Sequence, residues 1–459
     1  MIDASPDFLI FAAQTSATIS WALNEPATGQ VEYGTTSSLG QTSAKESSLS
    51  YSAHVQSLSG LTPGSLYSYR VRSVNQAGGE TVSASSTFTT STATQQTPDA
   101  GAPYTACQYP PDVKYARPTV PAIAKPALLA PVAATEFGTQ MVRITDNVQL
   151  GYSKKQPWNR DQTLILLNGG RIYDAKTHAY LRRISVTSEA VWSSTDPNKL
   201  FDHASKSGNQ FYSVNATTGV RTTLHSFVGY STLSLGPSEG NISRDDATIA
   251  LIGDSRDIIV YDIANDSVVA TKALSSLGYT FAQVDWVSVS QSGNYVVVQG
   301  PVADPVKSYD RNMNYVATVF PYGEHADLGI DSAGSDVYVA VGSAGRPAKM
   351  GRLSDGMITT LLSPGGQPGH MSTRNYLRPG WAYLTFEYSN MPVGALSYII
   401  GIKLDGSQLI ERFANHRTSG ASYAAQAKGV VSPDGTMVMW NSDWNGSSTV
   451  DAYVACMPK

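Results

Sequence analysis

The sequence predicts an all-β protein in which a β-sandwich is followed by a seven-bladed β-propeller. Three observations lead to this prediction: short strands at regular spacing near the start, a proline-rich stretch after them, and a repeat of roughly 47 residues that continues to the end. The 459 residues also exceed the length of one ordinary domain. We therefore divide the chain into a sandwich over residues 1–92, a linker over residues 93–132 and a propeller over residues 133–459.

Composition and charge argue against several classes of partner. Charged residues make up 15% of the chain, well below the usual quarter, and the formal net charge is -4. The sequence has no basic stripe, which argues against a nucleic-acid partner, and no apolar run long enough to cross a membrane. Residues 1–6 lack the features of a signal peptide, so we expect a mature, secreted or periplasmic fragment with an added Met, acting as a monomer.

The first domain has the alternating pattern of strands in a sandwich, most clearly over residues 66–72. Trp21 lies on an early strand, and residues 61–64 lead into Tyr67. These features resemble a fibronectin type III domain with its tyrosine corner. His54 stands alone among Ser and Val residues, and we expect it to be structural.

The linker is rich first in Thr, Ser and Gln and then in Pro. Because proline cannot donate a ladder hydrogen bond, we expect an extended segment that lies along a surface. Cys107 lies in this linker and Cys456 in the last strand, so a disulfide would tie the end of the chain to its middle. Two buried free thiols are the alternative.

The repeat consists of a tight polar turn followed by a short apolar strand. Clear examples are residues 159–167, 243–252, 290–298, 331–341 and 432–440, and further units begin at Val191 and at His370. Seven units with this period are typical of a propeller. Ring closure needs a strand from one end of the domain, and residues 140–145 are placed to pair with the last blade.

Residues just before the innermost strand of each blade are expected at one rim of the central channel. This rim set comprises Trp158, Asn159, Trp192, Glu239, Asn241, Asp285, Trp286, His325, Asp327, His370, Ser372, Arg374, Gln426 and Lys428. Such a mixture suits a sugar, whose C–H faces stack on Trp and whose hydroxyls bond to amides and carboxylates. Packing between blades is the alternative for the Trp residues, and backbone capping for the Asp residues.

The histidines divide into two groups. His325 and His370 fall at the same rim position in adjacent blades, which favours a functional role. His178, His203 and His225 fall in turns or outer strands, and we expect them at the surface.

The order of motifs in the propeller carries a family resemblance. The motifs are residues 143–146, 156–161, 369–372, 416–417, 423–426, 432–435 and 442–444. In order and spacing they resemble polysaccharide lyases of the oligogalacturonate lyase and ulvan lyase type. The resemblance covers the propeller only, and it implies β-elimination at a uronic acid of an anionic polysaccharide or oligosaccharide.

The implied reaction needs a donor for the uronate carboxylate, a base for the C5 proton and an acid for the departing oxygen. Arg374 suits the first role, with Gln426 and Asn159 as neutral donors. His325 and His370 suit the base and the acid, and Tyr423 or His416 could supply the proton of the departing oxygen instead. The residues expected to bind substrate are Trp158, Asn159, Trp192, Glu239, Trp286, Arg417, Gln426 and Lys428.

The cofactor requirement stays open at this point. Metal-using relatives carry histidines just before the last Ser-Pro-Asp-Gly motif, whereas residues 426–431 contain none. A divalent cation would have to be held by His325, His370, His416 and Gln426. We expect instead that a cationic side chain replaces the metal, either Lys428 or Arg374.

Two other functions compete with the lyase. A glycoside hydrolase would need two carboxylates across the pocket, chosen from Glu239, Asp285, Asp327 and Glu324. A non-catalytic carbohydrate-binding propeller would need neither acid nor base.

Overall fold

The structure, a computed structural model, has an all-β architecture as predicted. It describes residues 9–12, 15–23, 25–47, 49, 53–90, 122–134, 139–204, 208–237, 239–341, 347–362, 369–386 and 398–455. Two short 3₁₀ helices, Leu274–Leu277 and Phe281–Gln283, are the helical elements within these ranges. In the same part of the chain no helix is both long and apolar enough to span a membrane.

The N-terminal domain consists of two antiparallel sheets. The first contains β1 (Leu9–Ala12), β2 (Ser16–Ala22) and β5 (Ala53–Ser59). The second contains β3 (Gln30–Gly34), β4 (Gln41–Thr42), β6 (Leu66–Val74), β7 (Glu80–Val82) and β8 (Ser86–Thr89). Every second residue of β6 is buried, as the alternating sequence predicts.

The core of this domain supports the predicted fibronectin-like sandwich. Trp21 is buried and its indole N–H donates to the Ser73 hydroxyl. The Tyr67 hydroxyl accepts a hydrogen bond from the Thr62 N–H at 2.9 Å, which is the contact expected in a tyrosine corner. His54 is fully buried and bonds to Glu46, which gives it the structural role that the sequence suggested.

The described residues between Pro131 and Ala455 form seven further sheets. Blade one contains β11 (Leu164–Leu167), β12 (Arg171–Asp174) and β13 (Tyr180–Arg183); blade two β14 (Val191–Trp192), β15 (Lys199–His203), β16 (Gln210–Asn215) and β17 (Arg221–Ser226). Blade three contains β18 (Leu233–Ser234), β19 (Thr248–Gly253), β20 (Asp257–Asp262) and β21 (Ser267–Ala273); blade four β22 (Trp286–Val289), β23 (Tyr295–Gln299), β24 (Val306–Asp310) and β25 (Tyr315–Phe320).

The remaining blades continue in chain order. Blade five contains β26 (Ala326–Ile330), β27 (Asp336–Ala340), β28 (Ala348–Arg352) and β29 (Ile358–Leu362); blade six β30 (Gly369–Ser372), β31 (Trp381–Phe386), β32 (Tyr398–Lys403) and β33 (Ile410–Asn415). Blade seven contains β34 (Val430–Val431), β35 (Val438–Ser442), β36 (Asp451–Ala455), β10 (Thr139–Arg143) and β9 (Pro131–Ala134).

The ring closes through β10, which pairs with β36 and so joins the start of the propeller to its end. This pairing confirms the predicted closing strand. The segment before β9 packs on the same blade, since Lys125 Nζ lies 2.7 Å from Asp451 and the Trp444 indole donates to the Ile123 carbonyl. The predicted linker therefore ends as part of blade seven.

Within the described residues, seven hydrophobic cores join the blades, each with residues from two neighbouring blades. A representative pair from each core, in order round the ring, is Leu164 and Tyr212, Phe201 and Ile249, Ile258 and Val287, Val297 and Leu328, Val339 and Leu384, Tyr383 and Val431, and Met439 and Ile165. Because both faces of each sheet are covered, inner strands such as β19 are buried along their whole length.

The polar turns between the two innermost strands need a residue with positive φ. Asp246 (61°), Gly293 (77°), Gly334 (85°) and Gly435 (76°) fill this position in four blades. Glycine, and less readily Asp or Asn, adopts this conformation, which explains the Ser-x-Gly and Ser-Pro-Asp-Gly pattern of the repeat.

Candidate active site

His325 is an exposed histidine at the channel rim, immediately before β26. Its Nδ1 lies 3.0 Å from the Gly369 carbonyl oxygen, which can only accept a hydrogen bond. Nδ1 therefore carries the proton, and Nε2 is left as the basic nitrogen of the ring. Although solvent reaches the residue, protein atoms around the ring desolvate it; this effect first, and then the neighbouring His370, lower the pKa of His325.

His370 lies beneath His325 and is only 1% exposed. The two imidazoles are stacked, with ring centroids 4.8 Å apart, and Tyr152 meets His370 edge-on at 5.0 Å. The prediction that both histidines face one site is consistent with this stack. Direct contact between His370 and a substrate is not consistent with the stack, because His325 and Tyr152 cover the His370 ring.

A cleft of about 550 Å³ opens beside His325, between blades four and five. Its polar lining includes Gln283, Asp285, Gln299, Glu324 and His325. Asp285 precedes β22 as His325 precedes β26, so the repeat itself places the carboxyl and the imidazole on one cleft.

The Asp285 carboxyl is held by a buried amide. Gln299 Nε2 donates to Asp285 Oδ2 at 2.5 Å, and the Tyr338 hydroxyl donates to Gln299 Oε1 at 2.7 Å. Desolvation in the cleft raises the pKa of Asp285, and the ammonium of Lys154 opposes part of this rise. Asp285 is thus shifted toward its acid form, and His325 toward its basic form.

The central channel is crossed by a loop, residues 150–157, which we call the axial loop. Asn241 Nδ2 donates to the Lys154 carbonyl oxygen at 2.9 Å. Gln156 Nε2 donates to the carbonyl oxygens of Arg374 and Val431, at 2.9 and 3.0 Å. These partners belong to blades three, six and seven, so the loop is anchored on several sides of the channel.

The axial loop brings cations to the rim. Lys154 Nζ lies 2.5 Å from Glu239 Oε2 and 4.2 Å from the centroid of the Trp286 ring. Lys155 Nζ donates to the carbonyl oxygens of Glu189 and Gly240, and burial lowers the pKa of Lys155 to about 8. Lys154 is therefore the cation of this loop that acts on His325 and Asp285.

Arg374 does not have the predicted role of binding a substrate carboxylate. Its Nε and Nη2 donate to the two oxygens of Asp327, at 3.0 and 2.8 Å, and Nη2 also reaches the Leu328 carbonyl oxygen. Both side chains of the pair are at most 4% exposed. A buried pair of this kind joins blades five and six, and it also removes Asp327 from the candidates for an acid of a hydrolase.

His416 is likewise structural rather than catalytic. Its Nε2 lies 2.5 Å from the Phe386 carbonyl oxygen, and its Nδ1 accepts a hydrogen bond from the Thr418 N–H. With both ring nitrogens engaged and 1% exposure, it can neither transfer a proton to substrate nor bind a metal. Arg417 is also buried, at 4% exposure, beside the Trp444 ring, so its predicted contact with substrate stays a prediction that its burial does not favour.

The three tryptophans and the asparagine of the predicted rim are packing residues. Trp158, Trp192 and Trp286 are at most 2% exposed and belong to the cores between blades. Asn159 is fully buried, and its side chain bonds within the turn that precedes β11. A sugar cannot reach these side chains, and packing, the alternative for tryptophan, is what the structure shows.

Tyr423 and Lys428 form a pair at the rim. Tyr423 is 66% exposed, and Lys428 Nζ lies 3.3 Å from its ring centroid and 6.0 Å from that of Tyr152. Gln426 is half-buried on the same loop. A proton transfer from Tyr423 stays a prediction, and an exposed ring of this kind suits sugar stacking.

Two histidines expected at the surface are buried. His178 is 4% exposed in its turn, and His203 is 3% exposed and bonds to Glu189 at 2.6 Å. The expectation was wrong because His203 lies on β15, an inner strand of blade two, and because His178 is enclosed in its turn. The disulfide prediction for Cys107 and Cys456 lies outside the described residues.

Of the predicted metal ligands, His416 has both ring nitrogens hydrogen-bonded, whereas His325 keeps Nε2 available. His370 is 1% exposed beneath His325. No group of three or more His, Cys, Asp or Glu side chains in the described part of the chain is arranged to hold an ion.

Sequence reasoning missed Tyr152, Lys154, Gln299 and the Gly369 carbonyl. Its rule selected residues just before the first inner strand, but in blade one the channel residues come from the longer loop upstream. The sequence Tyr152-Ser153-Lys154-Lys155, with two cations in a chain of low charge, was the available signal.

Comparison with known proteins agrees with the two-domain architecture. Residues 8–92 match the family described as the purple acid phosphatase N-terminal domain. A comparison with curated proteins found no match. An oligogalacturonate lyase in complex with manganese is 14% identical with a TM-score of 0.49, covering 72% of this chain and 96% of that chain.

Other similar structures are propellers of different kinds. The β-propeller domain of Cps50 (Swd1) from Myceliophteria thermophila is 12% identical with a TM-score of 0.40, over 68% of this chain and all (100%) of that chain. TolB from Acinetobacter baumannii is 9% identical with a TM-score of 0.35, over 64% and 79%. At TM-scores below 0.5 these likenesses carry no conclusion about activity. The chain is thus a propeller preceded by a domain similar to the N-terminal domain of purple acid phosphatases. An activity can therefore be argued only from the geometry of the site.

Proposed function

We propose that this protein is a secreted or periplasmic polysaccharide lyase that cleaves a uronic-acid-containing polysaccharide by β-elimination. One observation carries the proposal: a base and an acid share one accessible cleft. His325 offers an unprotonated Nε2 and has a lowered pKa, while Asp285 has a raised pKa. Groups whose environments push their pKa values apart are the usual arrangement for general acid and base catalysis.

In the proposed reaction His325 Nε2 takes the proton from C5 of the uronate. The electron pair of the C5–H bond forms the C4=C5 double bond, and the C4–O4 bond breaks. O4 keeps the bond electrons and takes the proton of Asp285. His325 then loses its proton to solvent, and Asp285 regains one. No oxidant or other co-reactant is needed.

The carboxylate of the uronate has to be neutralised, because this acidifies the C5 proton. Arg374 and Lys428 were expected in this role, but Arg374 is bonded to Asp327. Lys154 is the better candidate, since its charge acts on both His325 and Asp285. Its side chain is 4% exposed and paired with Glu239, so it would act on the uronate through its charge and not by direct contact.

A glycoside hydrolase is the second candidate, and Asp285 favours it. Its raised pKa suits a general acid, and Glu239 lies close enough to influence that pKa. This alternative has no role for the oriented imidazole of His325, which is why we place it second.

Product analysis on a panel of uronate polymers separates these functions. A lyase forms chain ends with a conjugated double bond, which absorb in the ultraviolet, together with reducing ends. A hydrolase forms reducing ends without that absorbance, and a carbohydrate-binding propeller forms neither. Reducing ends without absorbance would overturn the lyase proposal, and so would intact polymer across the panel.

A further inference from the structure

Charge is distributed unevenly around His325. The cleft beside it is lined by two carboxylate residues, Asp285 and Glu324, and by neutral residues that include Gln283, Pro301 and Val302. Among the described residues that line this cleft there is no Lys or Arg. A sugar bound in the cleft therefore meets carboxylates, amides and apolar atoms.

The cations lie on the channel side of the histidine pair. Tyr152 contacts His370, and Lys154 Nζ and Lys428 Nζ lie 5.9 and 6.0 Å from the Tyr152 ring. Both lysines are at most 5% exposed and Lys154 is paired with Glu239, so they attract a uronate carboxylate through their charge and not by direct contact. The lysines thus lie on the channel side, whereas the described lining of the cleft has two carboxylates and no Lys or Arg.

The acid determines which sugar occupies which side. Asp285 protonates O4, and O4 leaves together with the sugar on the far side of the broken bond. That leaving sugar therefore occupies the cleft, while the uronate that loses its C5 proton lies toward Lys154. As Asp285 gives up its proton it becomes anionic, so a second carboxylate in the cleft would oppose the transition state.

We propose that the leaving sugar is neutral and that the natural substrate is a heteropolymer in which each cleaved uronate is linked through O4 to a neutral sugar. This inference rests on the proposed lyase function and specifies its substrate class. Homopolymers of uronate are poor substrates because they place a carboxylate between Asp285 and Glu324.

A matched pair of substrates tests the proposal. Glucuronan and a polymer of alternating rhamnose and glucuronate present the same uronate with a charged or a neutral neighbour. We expect kcat/KM for formation of unsaturated ends to be about tenfold or more higher on the alternating polymer. Equal rates, or a preference for glucuronan, would overturn the substrate assignment while leaving the lyase function intact. If neither these polymers nor any other uronate polymer gave unsaturated ends, the substrate assignment and the lyase function would both be overturned.

A charge placed in the cleft gives a second readout. Val302 lines the cleft and is 68% exposed, so Val302→Lys adds a cation there without disturbing a core. Val220, 62% exposed on blade two, supplies the matched control Val220→Lys. We expect Val302→Lys to raise kcat/KM on glucuronan several-fold, which reduces the preference for the alternating polymer over glucuronan. Val220→Lys should leave kcat/KM and this preference unchanged. An unchanged preference in Val302→Lys, or the same change in both variants, would contradict the proposed place of the leaving sugar.

Discussion

Arg374→Ala should unfold the propeller more easily rather than remove a substrate contact. The substitution deletes the two hydrogen bonds to Asp327 and those to the Leu328 carbonyl and the Thr373 hydroxyl. It leaves the Asp327 carboxylate buried at 3% exposure without its counter-charge. Breaking a buried pair in this way costs about 3–5 kcal/mol, or roughly 4–7 °C in Tm for a domain of this size.

Scanning calorimetry on full-length protein measures this shift, and the chain supplies a control. Arg352 makes the same two-pronged contact with Asp355, but at the surface, where its side chain is 30% exposed. Arg352→Ala should therefore melt close to wild type. The double variant Asp327→Leu/Arg374→Met should recover most of the lost stability, because no unpaired charge remains.

One result would refute this reasoning. If Arg374→Ala melts at the wild-type temperature and loses activity on anionic polymers only, Arg374 binds the substrate carboxylate after all. The expectation from the sequence would then be right, and the contact with Asp327 would be secondary.

Three further predictions follow from the site and its surroundings. The lyase rate should have a pH optimum between the ordinary pKa values of 3.8 for Asp285 and 6.5 for His325, because His325 must be neutral and Asp285 protonated; an optimum above 6.5 would contradict these roles. Gly369→Ala should lower kcat more than it raises KM. Its Cβ would stand 2.0 Å from the Thr385 carbonyl oxygen and so displace the Gly369 carbonyl that orients His325. A wild-type kcat in this variant would exclude an orienting role for the Gly369 carbonyl. Burial lowers the pKa of His178 to about 4, so the free energy of unfolding should fall as pH drops from 6.5 to 4, and His178→Asn should flatten this loss in denaturant titrations; an equal slope in both proteins would refute it.

The fold was predictable because repetition amplifies a weak signal. One apolar strand after one polar turn is ambiguous, but the same pattern around Asp246, Gly293, Gly334 and Gly435 fixes the position of the inner strands in each unit. The closing strand followed from topology, since a ring needs one strand from the other end.

The site was predictable only in part, because burial depends on what packs above a residue. The rim rule found His325 and Asp285, whose blades are regular. It could not show that His325 covers His370. Nor could it show that Arg374 forms a buried ion pair with Asp327, which lies 47 residues earlier in the chain on the neighbouring blade. It also could not show that a loop of blade one crosses the channel.

The most direct test of the central claim is the rate of unsaturated-end formation by His325→Gln. A general base contributes about 10²–10⁴-fold, so we expect a loss of that size with an unchanged melting temperature. The control is His225→Gln, which alters a half-buried histidine on an outer strand and should keep the wild-type rate. A His325→Gln variant that is as active as the His225→Gln control would contradict the assignment of this cleft as the active site.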